Sequence, residues 1–236
     1  MKIFKKLIAL FYPNTCVGCN EVIDEEEFLC DYCISMIERT DLNKFCLRCG
    51  NLKKECKCSK QVLYYDGCVS PFYNEGIAQK IMYAYKFRRK EMYAEFLVKQ
   101  MALSLKQGFY EQDFDCVCCV PIEGRKQLKR GYNQSAVLAS GIANLLEIPF
   151  YDGVLGCYKK KKEQHKIAIK ERFKNVKDIY YIKKPLKNKN ILLVDDIKTT
   201  GATLSECAKV LLASGANKVY CVTALVTKMK GKKNGN

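Results

Sequence analysis

Two adjacent carboxylates, Asp195 and Asp196, stand between an apolar run, Ile191-Leu192-Leu193-Val194, and a hydroxyl-rich turn, Lys198-Thr199-Thr200-Gly201-Ala202-Thr203. A short run of β-branched residues and leucine suits a central strand covered on both faces, which puts the two acids at its C-terminal end. In parallel α/β sheets ligands collect at that edge, where paired carboxylates accept hydrogen bonds from vicinal hydroxyls or approach a magnesium ion. The turn adds hydroxyls, backbone N–H groups and a glycine without Cβ at the positive end of a following helix, a combination that cradles a phosphate. Acids and turn together describe a holder for a sugar phosphate. A plain strand end followed by a helix cap needs neither adjacent acids nor two threonines before a glycine.

The elements that would carry this site alternate. Apolar patterning predicts strands over residues 62–65, 114–120, 180–182, 191–194 and 218–225, and helices over 77–87, 92–106, 134–146 and 204–213. That order predicts an α/β fold, a mostly parallel sheet with helices on both faces. Neither a Gly-x-Gly-x-x-Gly nor a Walker A motif is present, so dinucleotide and P-loop readings lack support.

The segment 191–203 resembles the phosphoribosyl pyrophosphate signature of type I phosphoribosyltransferases: four apolar residues, two acids, a Thr-Thr-Gly turn. Val120-Pro121-Ile122, then Arg125-Lys126-Gln127-Leu128-Lys129-Arg130-Gly131-Tyr132-Asn133-Gln134, then Gln164 and residues 172–176 extend the likeness to one branch, the ComF family of competence proteins. The N-terminal cysteines do the same, so the resemblance spans nearly the whole chain.

That resemblance implies a type I phosphoribosyltransferase sheet that binds phosphoribosyl pyrophosphate with magnesium, and a role in natural competence and DNA uptake. It assigns Asp195, Asp196 and Arg130 to catalysis. Phosphoribosyl pyrophosphate would be bound by Lys198, Thr199, Thr200, Gly201, Ala202 and Thr203, by Pro121, Ile122, Arg125, Lys129, Gly131, Asn133 and Gln134 around the loop that grips pyrophosphate, and by Gln164 and Arg172 in a lid over residues 158–177. The planar fork of Arg130 suits a pair of diphosphate oxygens, and Gly131 lets the backbone turn beside it. No segment identifies an acceptor for the phosphoribosyl group. The alternative is a protein without catalysis, one that binds single-stranded DNA or senses the sugar phosphate while docking a competence helicase.

The fifteen cysteines fall into two groups. Cys16, Cys19, Cys30 and Cys33, and Cys46, Cys49, Cys56 and Cys58, form closely spaced pairs whose thiolates can converge on a tetrahedral metal, so one or two structural zinc ions are expected. Spacing leaves open whether the pairs combine sequentially or interleave. A segment rich in acids and poor in large apolar residues needs such a staple to fold. Cys68, Cys116, Cys118, Cys119, Cys157, Cys207 and Cys221 lack ligand spacing and read as small core residues. The single histidine, His165, lies in a lysine-rich stretch with no acid placed to orient it, which argues against Cys/His nucleophilic chemistry.

Charge follows the same division. Of the chain's 41 basic and 25 acidic residues, 31 and 16 lie beyond residue 60, so nearly all of the +16 net charge belongs to the expected sugar-phosphate domain. The expected organisation is a zinc-binding domain over 1–60, the phosphoribosyltransferase-like domain over 61–227 and a basic disordered tail over 228–236. Basic runs at 86–90, 125–130, 159–162 and 228–233 would attract a polyanion, and the interleaved Tyr83, Tyr85 and Phe87 suit stacking on single-stranded DNA. No apolar run reaches the roughly 18 residues needed to span a bilayer. A cytoplasmic protein is expected, with at most peripheral contact with the inner membrane through residues 1–11.

Overall fold

The computed structural model describes residues 13–56, 58, 62–88, 91–123, 131–158 and 179–228. The cysteine-rich part holds a short helix α1 (Asp31–Ser35) and an antiparallel pair, β1 (Phe45–Cys46) and β2 (Asn51–Leu52). Then follow β3 (Gly67–Val69), β4 (Phe72–Tyr73), α2 (Gly76–Arg88), α3 (Glu91–Gly108), β5 (Cys116–Cys119) and α4 (Gln134–Leu146). The chain continues through a small antiparallel pair, β6 (Leu155–Cys157) and β7 (Tyr180–Ile182), into β8 (Asn190–Lys198), α5 (Ala202–Ala213) and β9 (Lys218–Val226).

The main sheet runs β3-β9-β8-β5, with β4 also on β9, and every pairing in it is parallel. Alternation along β8 explains why helices cover both faces. Leu192 and Val194 enter the core beneath α2, α3 and α4, while Ile191 and Leu193 enter the core beneath α5. All four are fully buried, and each such side chain contributes about 1.5–3 kcal/mol relative to exposure. In β5, Val117 and Cys119 join the first core and Cys116 and Cys118 the second. Cys68, Cys116, Cys118, Cys119, Cys207 and Cys221 are buried core residues, and Cys157 is half-buried.

Helices α2, α3, α4 and α5 lie where apolar periodicity puts them, and α4 has the expected ends. Two expectations need correction. Residues 62–65 form no strand. Leu63 and Tyr65 are buried anchors, the Tyr64 amide donates to Ser205 Oγ on α5 at 3.2 Å, and the sheet starts only at Gly67, after Asp66 has exchanged hydrogen bonds with Val219. The strand over 191–194 does not stop at Val194 either. It continues through both acids to Lys198, because Asp195, Ile197 and Lys198 stay in register with Thr223, Leu225 and Val226 of β9.

The cysteine-rich part packs on the sheet domain at several places, among them the Thr40 amide donating to the Pro71 carbonyl at 2.9 Å. Phe28 meets Tyr93 and Phe96 of α3 edge-on, with ring centroids 5.1 and 5.4 Å apart, and Lys80 of α2 donates to the Gly18 carbonyl at 2.5 Å. Further along, Cys49 joins Tyr65 and Cys68 in the core beneath α5, and the Cys68 amide donates to the Leu47 carbonyl at 2.7 Å.

Candidate functional site

The long, doubly covered strand β8 delivers Asp195 and Asp196 to a place ringed by α2, α4 and the β8–α5 turn. Asp195 Oδ1 accepts from Ser135 Oγ in the first turn of α4 at 2.9 Å and from the backbone N–H of Asp196 at 2.9 Å. Asp196 forms an ion pair with Lys86 of α2, both side chains being largely shielded from solvent. Burial first, then the neighbouring Asp196 carboxylate, push the Asp195 carboxyl up to about 7; the two hydrogen bonds and Lys86 oppose that rise without cancelling it. Asp195 thus changes charge near neutrality.

Beyond the acids the backbone turns into α5 at Gly201, whose φ of +81° lies in the left-handed region. A Cβ there would stand 2.8 Å from Tyr65 Oη, so glycine is required by conformation and by space. Thr200 Oγ1 accepts from the Ala202 amide at 3.3 Å, Thr199 is exposed, and the 12-residue helix α5 begins behind them. The turn has the donors and the dipole that an anion needs.

Lys198, expected among the phosphate ligands, faces the other way. Its side chain is 2% exposed, and Nζ donates to Asn51 Oδ1 at 2.9 Å and to the Gly50 carbonyl at 3.4 Å, inside the cysteine-rich part. Ile197 packs against the core beneath α2, α3 and α4, and Lys198, the next residue along the strand, sends its ammonium away from that core to Asn51.

Around the start of α4, Asn133 caps the helix by accepting from the Ser135 amide at 3.1 Å and donates to the Val120 carbonyl at 3.1 Å. Pro121, Ile122, Gly131 and Asn133 line a cavity of about 770 Å³ together with Asp152, Tyr181 and Lys183. Gln134 is buried, its carbonyl accepting from Tyr85 Oη at 2.7 Å, and it does not line this cavity. Arg125, Lys129 and Arg130 of the expected pyrophosphate loop, and Gln164 and Arg172 of the expected lid, lie outside the described residues. Sequence reasoning missed Lys86, taken as part of a polyanion-binding run, and Ser135. No local pattern marks either, because both act across the fold.

The cysteines converge as two consecutive quartets. The Sγ atoms of Cys16, Cys19, Cys30 and Cys33 all lie within 4.8 Å of one another, and so do those of Cys46, Cys49, Cys56 and Cys58. Burial tends to raise the Cys16 thiol, but the backbone amides of Cys19, Cys30 and Gly18 outweigh it and bring it down to about 6; Cys46 falls to about 7 for like reasons. Amides aimed at sulfur and four sulfurs at bonding spread fit tetrahedral zinc, and the ring of N–H groups stabilises the thiolate form.

Two family models match the chain: a phosphoribosyl transferase domain over residues 132–235 and a double zinc ribbon domain over residues 7–68. A parallel sheet with adjacent acids before a glycine turn, joined to paired four-cysteine ribbons, defines a phosphoribosyltransferase-fold protein with an N-terminal double zinc ribbon that supports structural zinc. Relatives are similar to the chain along most of their length. The DNA utilization protein YhgH of Escherichia coli K12 is 24% identical over 220 residues, 91% of this chain and 92% of that one. Competence protein F of Haemophilus influenzae is 26% identical, covering 86% of each chain, and competence protein ComFC of Streptococcus pneumoniae is 25% identical over 83% of this chain and 86% of its own. The chain is thus similar along most of its length to DNA utilization and competence proteins. Among solved structures, adenine phosphoribosyltransferase from Thermoanaerobacter pseudethanolicus is 14% identical over 59% of this chain and 83% of its own, with a TM-score of 0.38, too low to carry weight.

Proposed function

We propose that the protein binds phosphoribosyl pyrophosphate with magnesium between Asp195–Asp196 and the Thr199–Thr203 turn and serves the uptake and use of DNA. The observation that carries this reading is the pair of acids towards the end of β8, followed across residues 197–200 by a left-handed glycine that opens α5. In this reading the turn's amides and threonine hydroxyls hold the 5-phosphate, and the two carboxylates accept hydrogen bonds from the ribose hydroxyls. Magnesium arriving with the diphosphate would screen its charge. The ion pair of Asp196 with Lys86 supports a place for positive charge here. Transfer to a nitrogen acceptor would then proceed through an oxocarbenium-like carbon, with the protein supplying position and charge rather than a covalent intermediate. Domains of the extent expected above, and a cytoplasmic location, belong to the same proposal.

The names of the relatives support the DNA side: one is a DNA utilization protein and two are competence proteins. Tyr83 and Phe87 favour single-stranded DNA as a further ligand. They are 65% and 58% exposed, with ring centroids 4.6 Å apart and Arg88 beside them. Tyr85, expected to join them, is buried against α4 and cannot stack on a base. Docking of a competence helicase through the zinc ribbons belongs to the same proposal, and its test is co-purification lost when the ribbon surface is altered.

The deciding experiment titrates phosphoribosyl pyrophosphate and magnesium into the full chain by calorimetry, beside Asp195→Asn/Asp196→Asn. Saturable heat in the native protein, reduced at least about tenfold in affinity in the variant, is the expected result, since losing hydrogen bonds to charged groups costs about 1.5–3 kcal/mol. Equal heats in both would sink the reading.

A further inference from the structure

Lys198 is the last residue of β8, and the turn opens at the next position. A buried ammonium held only by an amide oxygen and a carbonyl is costly unless negative charge lies close. No carboxylate pairs with Lys198 among the described residues. Its oxygen partners, Gly50 and Asn51, instead follow Cys49 directly; burial pushes the ammonium down, and Coulomb attraction to Cys68, then Cys49, Cys221 and Cys46, opposes it. Four thiolates around a zinc dication leave a net charge of about two negatives, the counter-charge this lysine lacks.

The methylene that carries this ammonium lies under the turn. A Cβ on Gly201 would meet Lys198 Cε at 3.4 Å and Tyr65 Oη at 2.8 Å, and Tyr65 shares a core with Cys49 and Cys68. Gly50, with φ of +63°, closes against the Cys68 carbonyl of β3, where a Cβ would stand 3.0 Å away. The second quartet is therefore seated on the sheet, and Lys198 bridges it to the turn.

We infer that Lys198 is a positioning residue through which zinc at Cys46, Cys49, Cys56 and Cys58 sets the geometry of the Thr199–Thr203 turn. The first quartet, seated on α2 and α3, has no such bridge among the described residues. Coupling of this kind is reciprocal, so order in the turn must also hold the second zinc more tightly. The coupling does not depend on which anion the turn takes.

Amide hydrogen exchange on the full zinc-loaded chain tests it, read over residues 199–205 with residues 191–194 as a reference for the intact sheet. Lys198→Met keeps the apolar stem and removes the charge. It is expected to speed exchange in the turn about tenfold, a coupling of about 1.4 kcal/mol, with the reference strand unchanged. Cys58→Ser should do the same, Cys19→Ser should not, and combining Lys198→Met with Cys58→Ser should add nothing beyond either alone. Lys198→Met should also release one of its zinc ions to a chelator about tenfold faster than the native protein, a change that a merely structural role would spread over both sites. Unchanged turn exchange in Lys198→Met, additive effects, or zinc release at the native rate would overturn the inference. Should Cys58→Ser expose the reference strand as well, the two Lys198→Met measurements decide alone. A calorimetric titration with phosphoribosyl pyrophosphate separates the two readings: weaker binding in Lys198→Met extends the coupling to the ligand, whereas no binding by the native protein removes the proposed function and leaves the exchange result standing.

Discussion

Asp195 shows how much chemistry one residue draws from its surroundings. An acid whose pKa rises on folding, here from 3.8 to about 7, binds a proton that the unfolded chain has already lost, so its contribution to stability falls as pH rises between those values and stays low above them. Asp195→Asn removes that loss while keeping an oxygen for Ser135. The variant should be more stable than the native protein at pH 8, and the gap should close as pH falls towards 4; a gap that widens instead on acidification, in melting curves taken across that range, contradicts the raised value. Gly201 makes the opposite case, since its contribution is conformational. Gly201→Ala combines a left-handed φ with a contact against Tyr65 Oη and should cost about 1–3 kcal/mol in chemical denaturation. Both residues were legible in the sequence, because a diacid after an apolar run and a glycine after two threonines are local patterns. Lys86 and Ser135 were not, because what makes them matter is the proximity of α2 and α4 to the end of β8.

At the scale of elements, legibility follows burial. Residues 191–194 read as a central strand because both faces must be apolar, whereas residues 62–65 carry the same β-rich look for another reason: Leu63 and Tyr65 anchor a crossing segment while Val62 is exposed. Pattern alone cannot separate a strand from an anchored connection of equal length. The ribbons illustrate the limit in another way. Spacing announces eight ligands, but only the fold shows that they close as consecutive quartets. Two zinc ions per chain are therefore expected by native mass spectrometry. Cys33→Ser should retain one, because neither quartet shares a ligand with the other. A single zinc in the native protein, or none in the variant, would contradict two independent sites.

For the molecule as a whole, the question is what its positive charge is for. Of the basic runs that suggested a polyanion partner, the one that begins on α2 is already divided: Lys86 is committed to Asp196, which among the described residues of the run leaves Arg88 facing solvent with the Tyr83–Phe87 pair. Charge and stacking make separable contributions to single-strand binding. Phosphate contacts release counterions and set the slope of affinity against salt, whereas an aromatic platform contributes about 1–3 kcal/mol per base with little effect on that slope. Tyr83→Ala/Phe87→Ala should therefore weaken binding of an oligothymidine at least about fivefold at every salt concentration and leave the slope intact, while charge reversal at Lys160 and Lys161 should flatten the slope. Because Tyr83 and Phe87 are exposed and Lys86 keeps its pairing, the aromatic variant should retain sugar-phosphate binding. A simultaneous loss of both ligands would mean instead that α2 had shifted and taken Asp196 with it.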